Sequence, residues 1–263
     1  MLKLCVAGSG ISYTLSPVIH KAVLGALGVE AEYLVEDIPA DAFPANAPRL
    51  LASYDGFNVT KPFKRDIIPF LSSLETGGLD AVNVVRTNGG RAVGYNTDAD
   101  GFALDFASLA GDVRGARVLM IGAGGAAEAV AFALRRAGAE VTVYNRTYAR
   151  AEALAEKFGL RAVKSAAEAG KCEVFVNCAT PPAPPLPEGA DTSALAYAYD
   201  IVYSPRHTPF MAACEERGAK TSDGLGMLVY QAVIADEIFT GRRGDRAALA
   251  AAALRAIAKE SKK

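Results

Sequence analysis

Gly122-Ala123-Gly124-Gly125-Ala126-Ala127 is the segment with the sharpest chemical implication in the chain. It follows the continuous apolar run Ala116–Ile121 and opens the alanine-rich stretch Ala126–Ala137. A glycine turn between a buried strand and a helix brings backbone N–H groups against a pyrophosphate at the positive end of the helix. Gly122 permits the tight turn, and Gly124 lets the backbone approach the phosphates. Ala127 is small enough for close helix–strand packing. A merely structural glycine turn is the alternative. Against it, strand, glycines, helix and the next strand, Glu140–Tyr144, all fall in register. The end of that next strand selects the nucleotide. An Asp or Glu there would bind the ribose 2′-hydroxyl of NAD. The chain has Asn145-Arg146-Thr147 instead, with Arg150 close behind. Two guanidinium groups suit a 2′-phosphate, which they grip by charge-assisted bonds. At a helix start they oppose the helix dipole, and a phosphate ligand accounts for them better than a solvated basic turn does. The segment Arg117–Arg150 is therefore read as holding NADP.

A second group of polar residues lies in the first third. Lys64 stands in Asn58-Val59-Thr60-Lys61-Pro62-Phe63-Lys64, and Asp98 in Tyr95-Asn96-Thr97-Asp98. Taken alone, Lys64 is no more than a solvated surface lysine. Asn88-Gly89-Gly90 between Val82–Arg86 and Ala92–Tyr95 marks a hairpin. Its two ends meet, so Asn83 and the Asn96–Asp98 segment are expected together at a domain junction, where ligand clefts form. Thr14 and Ser16 sit in a turn after the first strand. Ser16 suits a helix N-cap, with Pro17 at the first helical position.

The elements that must position these residues alternate. Strands are expected at Leu2–Ala7, Glu32–Glu36 and Gly56–Val59, with helices from Ser16 to Gly28, at Pro44–Leu51 and at Ile67–Leu71. A new pattern starts near Asp98. A helix at Gly101–Leu109 precedes the strand and helix of the glycine turn, then helix Tyr148–Phe158 and strand Glu173–Asn177. The proline-rich loop Pro181–Pro187, strand Tyr197–Val202, helix Pro209–Arg217 and strand Ala219–Thr221 follow. Repeated strand–helix alternation implies a doubly wound parallel sheet. Two helices, Met227–Phe239 and Arg246–Ala258, end the chain with no strand to follow them.

Composition bounds the partners. With 51% hydrophobic and 22% charged residues, the 263-residue chain reads as one large or two modest globular domains. No apolar run reaches membrane-spanning length, and the start lacks the pattern of a signal peptide, so a cytoplasmic protein is expected. A net charge of −1 gives no field for nucleic acid. Cys5, Cys172, Cys178 and Cys214 form no C-x-x-C pair and read as buried free thiols. With His20 and His207 the only histidines, a histidine-built metal site is not expected.

The ordered set of motifs resembles the shikimate dehydrogenase family over essentially the whole chain. The set is Ser12-Tyr13-Thr14-Leu15-Ser16-Pro17, the Asn58–Lys64 segment, Ala81-Val82-Asn83, Asn96-Thr97-Asp98, the Gly122 turn and Asn145-Arg146-Thr147. It continues through Asp200-Ile201-Val202-Tyr203-Ser204-Pro205 and Asp223-Gly224-Leu225-Gly226-Met227-Leu228 to Gln231. The resemblance implies an α/β protein of two domains. An N-terminal α/β substrate domain, residues 1–98, would be completed by C-terminal helices from 236 to 263. A Rossmann-type NADP-binding domain with a doubly wound parallel sheet, 99–235, would be inserted. It implies NADPH-dependent, reversible reduction of 3-dehydroshikimate to shikimate, in aromatic amino acid biosynthesis. By the same resemblance Lys64 and Asp98 would be the catalytic pair. Substrate contacts would come from Thr14, Ser16, Thr60, Asn83, Tyr203 and Gln231, with the substrate carboxylate near the Thr14–Ser16 turn. The cofactor would lie on Gly122, Ala123, Gly124, Gly125, Ala126, Asn145, Arg146, Thr147 and Arg150, and Met227 would be an apolar shelf for the nicotinamide. Thr14 stands where many members have serine, which leaves open a broader quinate/shikimate enzyme. A non-catalytic NADP-binding sensor is the alternative of another class, and a homodimer is left open as an assembly.

Overall fold

A run of apolar residues at Leu4, Cys5, Val6 and Ala7 starts the first sheet, and all four side chains are buried. The computed structural model describes residues 1–179 and 185–260, so the expected proline-rich loop Pro181–Pro187 lies, as far as Pro184, outside the described residues. The chain divides into two compact units, Met1–Thr97 with Val229–Lys263, and Asp98–Leu228.

In the first unit, strands β1 (Leu2–Gly8), β2 (Ala31–Asp37), β3 (Gly56–Val59), β4 (Ser73–Glu75), β5 (Val84–Asn88) and β6 (Arg91–Tyr95) form one mixed sheet in the order β2-β1-β3-β5-β6-β4. Helix α2 (Phe43–Ser53) covers one face, where Phe43, Leu50, Phe57 and Phe63 are fully buried and the Phe43 and Phe63 rings stack at 4.0 Å. The other face carries Leu4, Leu24, Val84, Ala235 and Phe239. These join helix α1 (Ser16–Ala26) to the C-terminal part of the helix Leu225–Thr240. Truncating one such buried aromatic would cost about 3–5 kcal/mol through lost transfer energy and a cavity. The last helix, Arg246–Glu260, packs on α1.

In the second unit, α3 (Asp98–Ala110) leads into β7 (Arg117–Ile121), α4 (Gly125–Arg136), β8 (Glu140–Tyr144), α5 (Tyr148–Phe158), β9 (Arg161–Val163), β10 (Val174–Asn177), β11 (Tyr197–Asp200), α6 (Pro209–Glu215) and β12 (Lys220–Ser222). The helix Leu225–Thr240 is α7 and Arg246–Glu260 is α8. All pairings in this sheet are parallel, in the order β12-β11-β10-β7-β8-β9. From β7 the chain winds one way through β8 and β9. It then returns to the other side of β7 as β10. A parallel sheet wound in this way opens a crevice beyond the carboxyl ends of the two strands where the order reverses, here β7 and β10.

The structure moves four expectations. The unit boundaries fall at 97/98 and 228/229 rather than at 98/99 and 235/236. The second shift arises because α7 runs unbroken through the boundary, so no loop marks it. Ser16 is not the N-cap of α1. Leu15 holds that position in a helical conformation, and the Ser16 N–H donates instead to the Thr14 hydroxyl at 3.2 Å. The expected helix Ile67–Leu71 is a 3₁₀ turn over Ile68–Phe70, with Pro69 at its start and Leu71 already extended. The short strands β4 and β9 add to the expected set, each three residues long with no periodicity to read.

The four cysteines are buried and unbridged. Burial pushes the Cys214 thiol up to about 12 and the Cys5 and Cys178 thiols higher still.

Candidate active site

The glycine turn sits where the strand order requires it. Gly122 has a φ of +102°, a conformation that only glycine adopts without strain. A Cβ there would lie 2.7 Å from the Ala179 backbone nitrogen. The segment leaving β7 and the one leaving β10 therefore pass in direct backbone contact. Gly124 precedes α4 in an extended conformation, so the N–H groups of the first helical turn open outward.

Around this turn lies a cleft of about 320 Å³. Gly122, Ala123 and Gly124 form one wall, and Asn145, Arg146, Thr147 and Arg150 another. Asn177, Cys178, Ala179 and Phe210 line the side reached from β10. Asn145 ties the first two walls together. Its Oδ1 accepts from the Ala123 N–H at 3.3 Å, and its Nδ2 donates to the Thr147 carbonyl at 2.8 Å. Arg146 and Arg150 are exposed, and among the described residues neither forms an ion pair. Among the described residues no carboxylate lines the cleft. A nucleotide carrying an extra phosphate fits this donor set, and the residues expected to hold NADP line the cleft together, except Gly125, Ala126 and Met227. Gly125 and Ala126 form the first turn of α4.

The floor behind the cleft is a buried knot. Asn177 Nδ2 donates to Asp200 Oδ1 at 3.1 Å, the Thr208 hydroxyl donates to Asp200 Oδ2 at 2.7 Å, and the Val202 N–H donates to Oδ1 at 3.0 Å. Burial outweighs these bonds and raises the Asp200 carboxyl above its ordinary value. Met227 lies in the first turn of α7 and is 8% exposed. Asp105, whose carboxyl is raised by burial, bonds both the Met227 backbone and the Tyr199 hydroxyl, the latter at 2.5 Å. A Cβ on Gly226 would meet Asp105 at 1.9 Å, so the start of α7 rests on this carboxylate. Tyr203 lies half-buried between β11 and α6.

In the first unit the hairpin brings Asn83 to the end of β6 as expected. Asn83 Oδ1 accepts from the Thr97 N–H at 2.8 Å. Its Nδ2 lies 2.9 Å from the Thr97 hydroxyl and 3.2 Å from Gln231 Oε1. Residues 148 positions apart in the chain are thus gathered into one polar cluster. Thr14 and Ser16 form a second one, the Thr14 hydroxyl donating to the Ser16 oxygen at 3.0 Å. Thr60, half-buried, follows β3 and donates its N–H to the Ala7 carbonyl at 2.9 Å. Lys64, half-buried, lies four residues further on, and its carbonyl accepts from Val82 at 2.8 Å. Asp98 is the first residue of α3, 9% exposed, directly after Thr97 in the chain.

Sequence reasoning did not assign Thr97 in this cluster, nor Asn58, whose Nδ2 donates to the Asn83 carbonyl at 3.4 Å, nor Tyr33, whose hydroxyl donates to Asn58 Oδ1 at 2.7 Å, nor Asn177 and Phe210 in the cleft. Thr97 and Asn58 stand inside motifs already singled out. Asn177 is a polar residue ending a wholly buried strand, which is a readable signal. Tyr33 and Phe210 carry none. Among the described residues no cluster could hold a metal ion, and no helix is long and apolar enough to cross a membrane.

Comparison with known proteins places this geometry. Residues 6–85 match the shikimate dehydrogenase substrate binding domain, 106–176 the shikimate/quinate 5-dehydrogenase model, and 224–254 the shikimate 5′-dehydrogenase C-terminal domain. The chain is 40% identical to a shikimate dehydrogenase (NADP(+)) of Thermus thermophilus over 270 residues, covering 98% of this chain and 99% of that one. It is 37% identical to the enzyme of Aquifex aeolicus, over 90% of each. A crystal structure of shikimate 5-dehydrogenase from Thermus thermophilus in complex with NADP(H) and shikimate superimposes with a TM-score of 0.86, at 37% identity, over 97% of this chain and 100% of that one. A quinate dehydrogenase from Corynebacterium glutamicum in complex with NAD matches at 27% identity, with a TM-score of 0.84, over 97% and 99%. With three family models matching in order and a relative 40% identical over 98% of the chain, this protein belongs to the shikimate dehydrogenase family of oxidoreductases.

Proposed function

We propose that the protein catalyses the NADPH-dependent, reversible reduction of 3-dehydroshikimate to shikimate. The observation that carries the cofactor half is the cleft beyond β7 and β8, where Asn145 replaces a carboxylate and Arg146 and Arg150 stand without ion pairs among the described residues. The substrate half rests on the cluster of neutral donors and acceptors in the first unit, which suits a polyhydroxylated ring.

The first unit is thus read as the substrate domain and the second as the NADP domain. When bound, the reduced nicotinamide supplies a hydride to the ketone carbon. Negative charge then develops on the carbonyl oxygen, and Lys64 stabilises it and delivers the proton. Asp98 orients Lys64 and accepts a hydrogen bond from a substrate hydroxyl. Asn83 and Gln231 hold the remaining hydroxyls, Thr60 and Tyr203 add contacts, and Thr14 and Ser16 receive the carboxylate. Met227 supports the flat ring of the nicotinamide. Thr14 favours a second reading, a broader quinate/shikimate dehydrogenase, because its methyl alters the carboxylate end where serine is common in the family. A cytoplasmic location belongs to the same reading.

Oxidation of shikimate and of quinate, each with NADP and with NAD, tests both readings. Shikimate with NADP is expected to give the highest kcat/KM. Equal or better turnover of quinate would establish the broader enzyme, and no turnover of either acid would overturn the proposal.

A further inference from the structure

The first unit holds a buried pair that the proposed hydride chemistry does not use. His20 Nδ1 on α1 and Asp236 Oδ1 on α7 are 2.7 Å apart, with side chains 1% and 0% exposed. The second carboxyl oxygen of Asp236 is buried with no hydrogen-bond partner among the described residues. Phe239 stands on one side of the imidazole, ring centres 6.3 Å apart. Removing two polar groups from water in such a place is expensive, and an apolar pair of similar size would serve the core equally well. On that ground the pair is a candidate for a role other than stability.

What it touches indicates what that is. The imidazole stacks on Tyr33 at 4.2 Å, with the planes 11° apart. The Tyr33 hydroxyl donates to Asn58 Oδ1 at 2.7 Å, and Asn58 Nδ2 donates to the Asn83 carbonyl at 3.4 Å. An imidazole held by one carboxylate bond cannot turn about its own axis. Stacking passes that constraint to the phenol. The Asn83 carbonyl can only accept, so the Asn58 amide turns its nitrogen there and its oxygen toward Tyr33, whose O–H donates to it.

We infer that Asp236 is a positioning residue for substrate binding, acting through His20 and Tyr33 on the Asn58–Asn83 pair. The inference rests on the substrate reading given above. It assigns the pair an effect on substrate affinity and none on the hydride step, because no member of the chain from Asp236 to Tyr33 is among the groups proposed to move a proton.

Two variants of the full-length enzyme test it by shikimate oxidation with NADP. His20→Leu/Asp236→Leu replaces the pair with apolar side chains, a change that buried ion pairs often tolerate without loss of stability. Tyr33→Phe removes one oxygen. Both are expected to raise the KM for shikimate about tenfold, to leave kcat within about threefold, and to leave the KM for NADP unchanged. Combining them should raise KM no further than the larger single effect, since all act along one chain. A KM within about twofold of wild type in a folded double-leucine variant overturns the inference. So does a fall in kcat at constant KM. If the double-leucine variant does not fold, Tyr33→Phe decides, and an unchanged KM there is equally fatal. Failure of the underlying reading looks different, because the wild type itself would then not oxidise shikimate.

Discussion

Asn145 Oδ1 accepts the backbone N–H of Ala123 at 3.3 Å, so the residue that ends β8 is fastened to the turn that follows β7. A carboxylate at this position could accept the same N–H and would in addition present a negative charge to the ribose. Asn145→Asp is expected to lower kcat/KM with NADPH by about a hundredfold while NADH is affected by less than about tenfold, since the new charge repels a 2′-phosphate and can bind a 2′-hydroxyl. Steady-state kinetics with both nucleotides measure this. Parallel losses would show that the position does not read the ribose.

Arg146 and Arg150 line the same cleft without ion-pair partners among the described residues. Arg146→Ala should weaken NADPH by about 1.5–3 kcal/mol, the range of a hydrogen bond to a charged group, and leave NADH nearly unchanged. Titration calorimetry with the two nucleotides separates these effects. Equal weakening would remove Arg146 from 2′-phosphate recognition.

Lys64 is proposed to meet charge that exists only in the transition state. Lys64→Ala is expected to cut kcat by several orders of magnitude with little change in the KM for shikimate. A loss of less than about tenfold would rule out the assigned role.

Gly122 combines a φ of +102° with a backbone neighbour 2.7 Å from where a Cβ would stand. Gly122→Ala should therefore destabilise the second unit by about 2–4 kcal/mol and abolish nucleotide binding, because strain and overlap act together. Thermal unfolding with and without NADPH provides the check, since a bound nucleotide raises the midpoint. A variant still stabilised by NADPH would contradict the claim that the turn cannot relax.

Stability should also respond to acid through Glu36. Arg49 grips this carboxylate with two bonds, at 3.0 and 2.7 Å, and the Tyr54 hydroxyl donates to it as well. The Arg49 guanidinium, with Tyr54 adding to it, holds the Glu36 carboxyl below its ordinary 4.5. A depressed folded-state value means stabilisation that is present above the unfolded value and lost as pH falls through the folded one. Glu36→Gln should be less stable than wild type by about 1 kcal/mol near neutrality, with the gap closing below 4.5. Urea denaturation of the two proteins across that range gives the result, and a gap independent of pH would mean that the charge is not responsible.

The second unit was the more legible in sequence, for a physical reason. Its central strands β7 and β10 are buried on both faces and read as apolar runs, and glycines punctuate the helices, so β8 and α5 were placed to the residue. The first unit was legible in outline. The hairpin geometry predicted that Asn83 would meet the Asn96–Asp98 segment, and it does so through Thr97. The meeting of Asn83 with Gln231 came only from the family resemblance, because no local pattern encodes a contact across 148 residues. The cap of α1 was misread because both Thr14 and Ser16 carry hydroxyls, and propensity alone cannot say which one turns back to the helix. The role of the His20–Asp236 pair was invisible for the same reason as the Gln231 contact. Its two members are 216 positions apart, and each alone reads as an ordinary polar residue on a helix.

The burial of Cys5, Cys172, Cys178 and Cys214 makes the protein silent to thiol chemistry, since thiols raised by burial are almost wholly protonated near neutral pH. An exposed cysteine introduced into each unit would then be the only site open to a maleimide dye or a nitroxide label. A reporter could thus be placed on either unit without first stripping the native sulfurs from the core, and its signal followed in the otherwise unaltered enzyme as each ligand arrives.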